Sequence, residues 1–252
     1  MLLVLFMHGL LLINKPSGPS SFDILRELRK KLNVKKIGYL GTLDPLASGL
    51  LVFFLGKATR LIPYFEESDK EYLVKLEFGK SSDSYDITGK IEEHDLSKSA
   101  IPDKKALALE LKNFLGSQWQ IQPKFSALKY QGQRAYTLAR EGKDFDLGRR
   151  QIEISEIDLL DFKFPQCTLG IKCSSGTYIR SLVHELGREL GLGAVMTGLR
   201  RTGIDRFELL AAVGLDTVSA SNIIPRSEII VKYIDWGRNY IGDKNVLLDK
   251  FA

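Results

Sequence analysis

At 252 residues the chain has room for one large domain, or one domain with a small appendage. Its 44% hydrophobic and 27% charged residues are those of an ordinary soluble globular protein, with no internal repeat or low-complexity tract. A net charge of +5 suggests a polyanionic partner. Cys167 and Cys173 lie six apart in what reads as one strand, ~20 Å at strand rise and too far for a bridge. His8, His94 and His184 are scattered, so the pattern indicates a reducing compartment and no metal. The apolar opening Met1–Ile13 lacks a basic leading segment and a cleavage site and is too short to span a membrane. Either it is a buried first strand with a ragged start or Met7 is the true initiator, the second being the preferred reading of residues 1–6. No other stretch could cross a bilayer.

In chain order, Leu10–Ile13 reads as a buried strand ending at Asn14-Lys-Pro-Ser-Gly18. Ser20 or Ser21 then caps a helix whose Leu25, Leu28 and Leu32 recur at helical spacing. Its other face carries Arg26, Arg29, Lys30 and Lys31, with Lys35 and Lys36 beyond: a solvated face or a set of phosphate contacts. Next comes Gly38-Tyr-Leu-Gly-Thr-Leu-Asp-Pro-Leu-Ala-Ser-Gly-Leu-Leu51, one carboxylate in an apolar loop punctuated by Gly and Pro. Because a residue before proline favours extended geometry, Asp44 is expected at a loop tip beside the buried run Leu50–Leu55. An acid on a stiff loop next to a buried strand suits chemistry at a dry site.

Glu71–Phe78 alternates, placing Tyr72, Val74, Leu76 and Phe78 on one face. Gly79–Gly89, with Asp83 and Asp86, reads as a polar loop before a strand at 88–93. Asp103 caps a helix carrying Leu107, Leu111, Phe114 and Leu115, read as core packing and stopped by Gly116. Residues 123–150 interleave cations and aromatic rings: Lys124, Phe125, Lys129, Tyr130, Arg134 and Tyr136, then Arg140, Lys143, Arg149 and Arg150. That mixture suits looped RNA, whose unstacked bases need flat partners and whose phosphates need cations; an exposed helical hairpin with solvated charges has the same composition. Ile152–Lys172 alternates as one or two strands. Gly176-Thr-Tyr-Ile-Arg180 enters a helix with Ile179, Leu182, Val183, Leu186 and Leu190 on its apolar face. Arg180 lies off that stripe and would face water unless a carboxylate or phosphate needs it. Leu199, Arg200 and Arg201 follow a Gly-rich turn, the arginines as candidate phosphate contacts. From about residue 215 the tail balances five bases against five acids and contains the apolar Ile229–Ile234, enough for a cap and too little for a domain.

These stretches resemble, in order, the motifs of the bacterial TruB-type tRNA pseudouridine synthases. The resemblance runs through Leu11–Gly18, Gly41–Gly49, Lys70–Tyr72, Asp83–Gly89, Ser126–Gly132, Gly176–Arg180 and Leu199–Arg201, covering roughly residues 9 to 210. It implies an α/β (α+β) pseudouridine synthase fold with a mixed, largely antiparallel central sheet, flanking helices and an insertion at about 120–150 that clamps RNA. It implies that residues 1–214 form the catalytic domain and that 215–252 replace a PUA domain that is absent or vestigial. The implied reaction turns the T-loop uridine of tRNA (position 55) into pseudouridine, with Asp44 catalytic, as nucleophile or base. Tyr72 would stack on the flipped uracil, Arg180 pair with Asp44, and Tyr178 and Leu199 line the pocket. Lys15, Pro16, Gly41 and Thr42 would support the Asp44 loop. Arg29, Lys30, Lys36, Lys129, Arg134, Arg200 and Arg201 would contact RNA. Tyr39 stands where the family usually has a histidine that helps hold the T loop open. An isomerisation needs no cofactor or metal, and a monomer acting on tRNA in the cytoplasm, without a protein partner, is expected. The alternatives are a non-catalytic RNA-binding or tRNA-folding protein, a guide-RNA-dependent relative, and a hydrolase releasing uracil.

Overall fold

The computed structural model describes residues 8–97 and 99–232. The proposed start at Met7 and the end of the tail fall outside them. The chain forms two compact units, one built from the chain up to Lys70 and from Arg200 on, the other from Glu71–Leu199.

The first unit opens with β1 (Gly9–Lys15), α1 (Ser21–Lys31), β2 (Ile37–Leu40), β3 (Ser48–Leu55) and a 3-10 helix over Gly56–Phe65. Both β1 and β3 are unbroken apolar runs, which requires cover on both faces. Leu10, Leu12, Leu50, Val52 and Phe54 pack on one side with Leu61 and Phe65 of the 3-10 helix. Leu11, Ile13, Leu51, Phe53 and Leu55 pack on the other with Ile24, Leu25 and Leu28 of α1. Helix α1 starts at a capping box in which Ser20 and Asp23 exchange hydrogen bonds, and ends in Arg29, Lys30 and Lys31, which complement the negative end of its dipole.

The second unit contains β4 (Lys70–Phe78), β5 (Lys80–Ser82), β6 (Ile91–Glu93), α2 (Lys104–Leu111), β7 (Gly116–Ile121), β8 (Lys129–Tyr130), β9 (Gln133–Arg134), α3 (Ala135–Arg140), β10 (Arg149–Lys163), β11 (Gln166–Cys173) and α4 (Ile179–Glu189). Strand β12 (Ala194–Ile204) then carries the chain back, followed by β13 (Phe207–Glu208), β14 (Val213–Gly214), β15 (Ile224–Pro225) and α5 (Arg226–Lys232). Strand order is β14-β1-β3-β12 in the first unit, with β2 on β3 and β15 on β1, and β12-β4-β11-β10-β7 in the second. The sheet is mixed and mostly antiparallel; β1–β14 and β12–β3 are parallel pairs.

Ile152–Lys172 resolves into two strands, β10 and β11, turning at Pro165. Cys167 and Cys173 lie buried on the same face of β11, and burial, aided by Asp161, pushes the Cys167 thiol up to about 12. The expected polar loop after Gly79 contains the short strand β5, paired with β6. Leu115, read as core, is instead 44% exposed, because α2 ends at Leu111 and tightens into a 3-10 turn that rotates the last leucine outward. The segment around 120–150 has its own small core of Ala135, Leu138 and Phe145, backed by Leu128, Tyr130 and Leu147. Residues 215–229 pack within the first unit: Val218 is buried with α1, Ile229 with β1 and β3, and Lys31 Nζ donates to the carbonyls of Leu215 and Asp216 at 2.8 and 2.6 Å.

Phe53 is fully buried between α1 and β2. Phe53→Ala should cost about 3–5 kcal/mol of stability, measured as a shift in the urea unfolding midpoint.

Candidate active site

Asp44 lies half-buried in the seven-residue connection between β2 and β3. Pro45 follows it at the corner of a turn closed by the Ala47 N–H donating to the Asp44 carbonyl at 3.0 Å. Loop carbonyls near a buried strand must find donors, and here all five from Leu43 to Ala47 do. Ser21 Oγ donates to the Leu43 carbonyl and accepts from the Leu43 N–H, both at 2.9 Å. The Gly18 N–H reaches the Pro45 carbonyl at 2.8 Å, and Ser17 Oγ reaches that of Leu46 at 2.9 Å. Lys15 Nζ donates to the Ala47 carbonyl at 2.6 Å, and more weakly to those of Pro16 and Pro45 at 3.0 and 3.5 Å. The motif from Lys15 to Gly18 and the first residue of α1 thus form a rack for the Asp44 loop.

Lys15 is completely buried. Burial pulls its ammonium down to about 8, the Asp44 carboxylate opposes that shift, and Arg201 adds to it. Arg201 is a correction to the expected RNA contacts. Its side chain is 1% exposed, with Nε donating to the Leu50 carbonyl at 2.8 Å and Nη2 to that of Gly41 at 2.9 Å. Arg201 therefore braces both ends of the Asp44 loop and is not available to a phosphate. Its backbone is also why Gly49 is glycine: φ is +101° there, and a Cβ would stand 2.8 Å from the Arg201 nitrogen. Gly41 likewise turns at φ +64° against the Arg201 guanidinium, while Thr42 and Pro16 are exposed. Tyr39 is half-buried and sets its ring edge-on to Phe53 at 5.7 Å, so it is built into the core on one side.

The second unit holds the other candidates. Tyr72 is half-buried in β4, on the same side as the buried Val74, Leu76 and Phe78. Tyr178 caps α4 and is clamped by Gln120, whose side chain accepts from its N–H at 2.8 Å and donates to its carbonyl at 3.1 Å. Arg180 does not face water. It is 4% exposed, with Nη1 on the Ser84 carbonyl at 3.0 Å, Nη2 on that of Phe125 at 2.6 Å, and its guanidinium 5.6 Å from the centre of the Tyr178 ring. Leu199 is half-buried in β12. Arg29, Lys30, Lys36, Lys129, Arg134 and Arg200 are exposed, and Arg134 also holds the Ala127 carbonyl at 2.6 Å. Among the described residues no cluster of three or more His, Cys, Asp or Glu could hold a metal.

Sequence reasoning missed Ser21, Gln120 and Ser84. Ser21 follows a residue that satisfies the capping pattern alone, and Gln120 sits in an exposed-looking strand. Their roles are set by partners 22, 58 and 96 residues away along the chain.

A sheet of this order, together with a half-buried aspartate on a braced loop, a clamped tyrosine and a buried arginine, defines a class. Two solved structures share the fold: a Cbf5-Nop10-Gar1 complex (TM-score 0.69, 26% identity, 91% of this chain and 64% of that one) and an H/ACA ribonucleoprotein bound to a substrate RNA containing 2'-deoxyuridine (TM-score 0.67, 24% identity, 91% and 63%). The chain thus spans less than two thirds of the chains it matches in those assemblies. The architecture is that of a pseudouridine synthase.

The N-terminal domain model of the TruB family pseudouridylate synthases matches residues 29–179, and the C-terminal domain model of tRNA pseudouridylate synthase B matches 180–235. Proteins named tRNA pseudouridine synthase B are similar: that of Opitutus terrae is 39% identical over 88% of this chain and 90% of its own. That of Syntrophomonas wolfei is 43% identical over 84% and 72%, and that of Fusobacterium nucleatum 43% over 81% and 70%. The chain belongs to the TruB family.

Ser21→Ala leaves two buried backbone groups at Leu43 without their partner, a loss of about 1–3 kcal/mol each. Single-turnover uridine conversion should slow by roughly tenfold or more, with tRNA affinity unchanged. Lys15 loses its proton through about pH 8 in the folded chain, against 10.5 for an unperturbed lysine. Between those values the unfolded state binds more protons, so this group makes folding more favourable as pH rises. Over the lower part of the same window the loop loses an ammonium donor. Turnover should decline above about pH 8 with no drop in melting temperature, measured on the same samples.

Proposed function

We propose that this chain converts the T-loop uridine of tRNA (position 55) to pseudouridine with Asp44 as the catalytic carboxylate. The broader statement, isomerisation of tRNA uridine to pseudouridine by an enzyme, follows from membership of the family. The observation that supports the finer one is the hydrogen bonding of all five carbonyls from Leu43 to Ala47, which holds the backbone that carries Asp44. The N1–C1′ bond of the uridine breaks, the base turns, and a C5–C1′ bond forms. The C5 hydrogen leaves to water while N1 gains a proton, so the balance is that of an isomerisation. Asp44 acts on the sugar as nucleophile or as base.

Flipping the uridine costs a few kcal/mol of unstacking, and Tyr72 offsets part of this by stacking on the base. Arg180 is the cation assigned to Asp44, and Tyr178 and Leu199 line the base pocket. Arg29, Lys30, Lys36 and Arg200 neutralise phosphates, and the 120–150 insertion, with Lys129 and Arg134, closes over the RNA. Tyr39 contacts the opened T loop from the position the family usually gives to histidine. Residues 1–214 carry out the chemistry, and residues 215–229 brace them, as the burial of Val218 and Ile229 supports. The enzyme works as a cytoplasmic monomer on bare tRNA, without cofactor or protein partner.

Tritium release from a tRNA transcript labelled at uridine C5 tests this reading, because C5 loses its hydrogen only after the new bond forms. Wild type should release tritium only from the T-loop position, and Asp44→Asn should lower the rate by a factor of about 10³ or more, ~4 kcal/mol. Binding of tRNA without release by wild type would leave an RNA-binding protein instead.

A further inference from the structure

We propose that Arg150, a residue with no part in the site described above, is a phosphate anchor for the RNA strand beside the turn that carries Tyr178 and Arg180. This rests on the RNA-modifying reading and adds to it a specific contact. Arg150 stands directly opposite Gln120 in the β10–β7 ladder. Directly opposed residues project to the same face of a sheet, and Gln120 is the residue that clamps Tyr178. Both side chains therefore reach the same turn.

That turn is a firm platform. The Ser174 N–H donates to the Glu153 carbonyl and Ser174 Oγ accepts from the Glu153 N–H, both at 2.8 Å, while Thr177 Oγ1 donates to the Ser174 carbonyl at 2.9 Å. At its corner Gly176 has φ +82°, and the Arg150 guanidinium lies flat on it: a Cβ there would stand 2.5 Å from Nε and 2.7 Å from Nη1. The positive φ calls for glycine at this corner, and the missing Cβ lets the guanidinium approach the backbone. The rest of Arg150 is exposed, and no carboxylate among the described residues pairs with it.

The Arg150 guanidinium packs against the Gly176 backbone, and the residue is exposed. A planar fork held in place without a protein acid matches the geometry of a phosphodiester. The ligand class is RNA backbone, since phosphate contacts position a strand without reading its sequence.

The test is equilibrium binding of a T-arm RNA hairpin across a salt series, for wild type, Arg150→Ala, Arg150→Gln, Arg150→Lys and the exposed-charge control Lys163→Ala. The alanine and glutamine variants should bind about tenfold more weakly at low salt, with the slope of log K against log salt smaller by about 0.7–0.9, one phosphate. The lysine variant should keep the slope and lose part of the affinity, because its charge remains and its plane does not. Lys163→Ala should match wild type in slope and affinity. Wild-type slope and affinity in the alanine and glutamine variants would overturn the assignment, as would an equal loss in the Lys163 control. Pseudouridine formation by wild type, scored separately, tests the enzyme reading: hairpin binding without product would remove that reading and leave the anchor standing.

Discussion

The structure turns on supplying donors to the carbonyls of one short loop. A loop carbonyl beside a buried strand needs a donor to meet it. The carbonyls from Leu43 to Ala47 are therefore met by Lys15, Ser17, Gly18, Ser21 and the loop's own turn, with Arg201 fixing Gly41 and Leu50 on either side. The need to deliver those donors explains much of the first unit. Strand β1 must run beside β3 to bring Lys15 under the loop, α1 must begin where Ser21 meets Leu43, and β12 must pass β3 in parallel so that Arg201 lies against Gly49. Burying Lys15 is the energetic cost of this arrangement. Its ammonium is strongly desolvated, and three carbonyls and the field of Asp44 offset part of that penalty.

The second unit solves a similar problem with an arginine and a tyrosine. Arg180 begins a helix that would ordinarily send it to solvent, yet the carbonyls of Ser84 and Phe125 fix its plane. Tyr178 is held by its backbone through Gln120, which leaves its ring to interact elsewhere. In both units, polar groups that would be costly to bury alone are satisfied by main-chain partners, so side chains assigned to substrate keep fixed geometry.

How much of this could be read from the sequence depended on how local each signal was. The buried strands at Leu10–Ile13 and Leu50–Leu55, the capped α1 and the loop position of Asp44 were legible, because apolar runs, a serine cap and Asp-Pro act within a few residues. The ordered motifs gave the family. The interior role of Arg201 was not legible: an arginine pair after a Gly-rich turn looks basic and exposed, and only the parallel passage of β12 beside β3 buries one of the two while leaving Arg200 outside. Leu115 failed for a smaller reason, a helix tightening by one turn. Ser21, Gln120 and the Arg150–Gly176 seat each rest on a long-range pairing that no periodicity encodes.

If the Asp44 loop is held before RNA binds, its amides must be protected in the free protein. Hydrogen exchange read residue by residue on the RNA-free chain measures this directly, at the N–H groups of Leu43, Ala47 and Gly18, which donate to Ser21, Asp44 and Pro45. The rack predicts exchange at these three sites far slower than in exposed loops, with protection at Leu43 lost when the Ser21 hydroxyl is removed. Exchange at open-chain rates in the intact protein, while the strands of β1 and β3 stay protected, would contradict it and mean that the loop takes its shape only when RNA arrives.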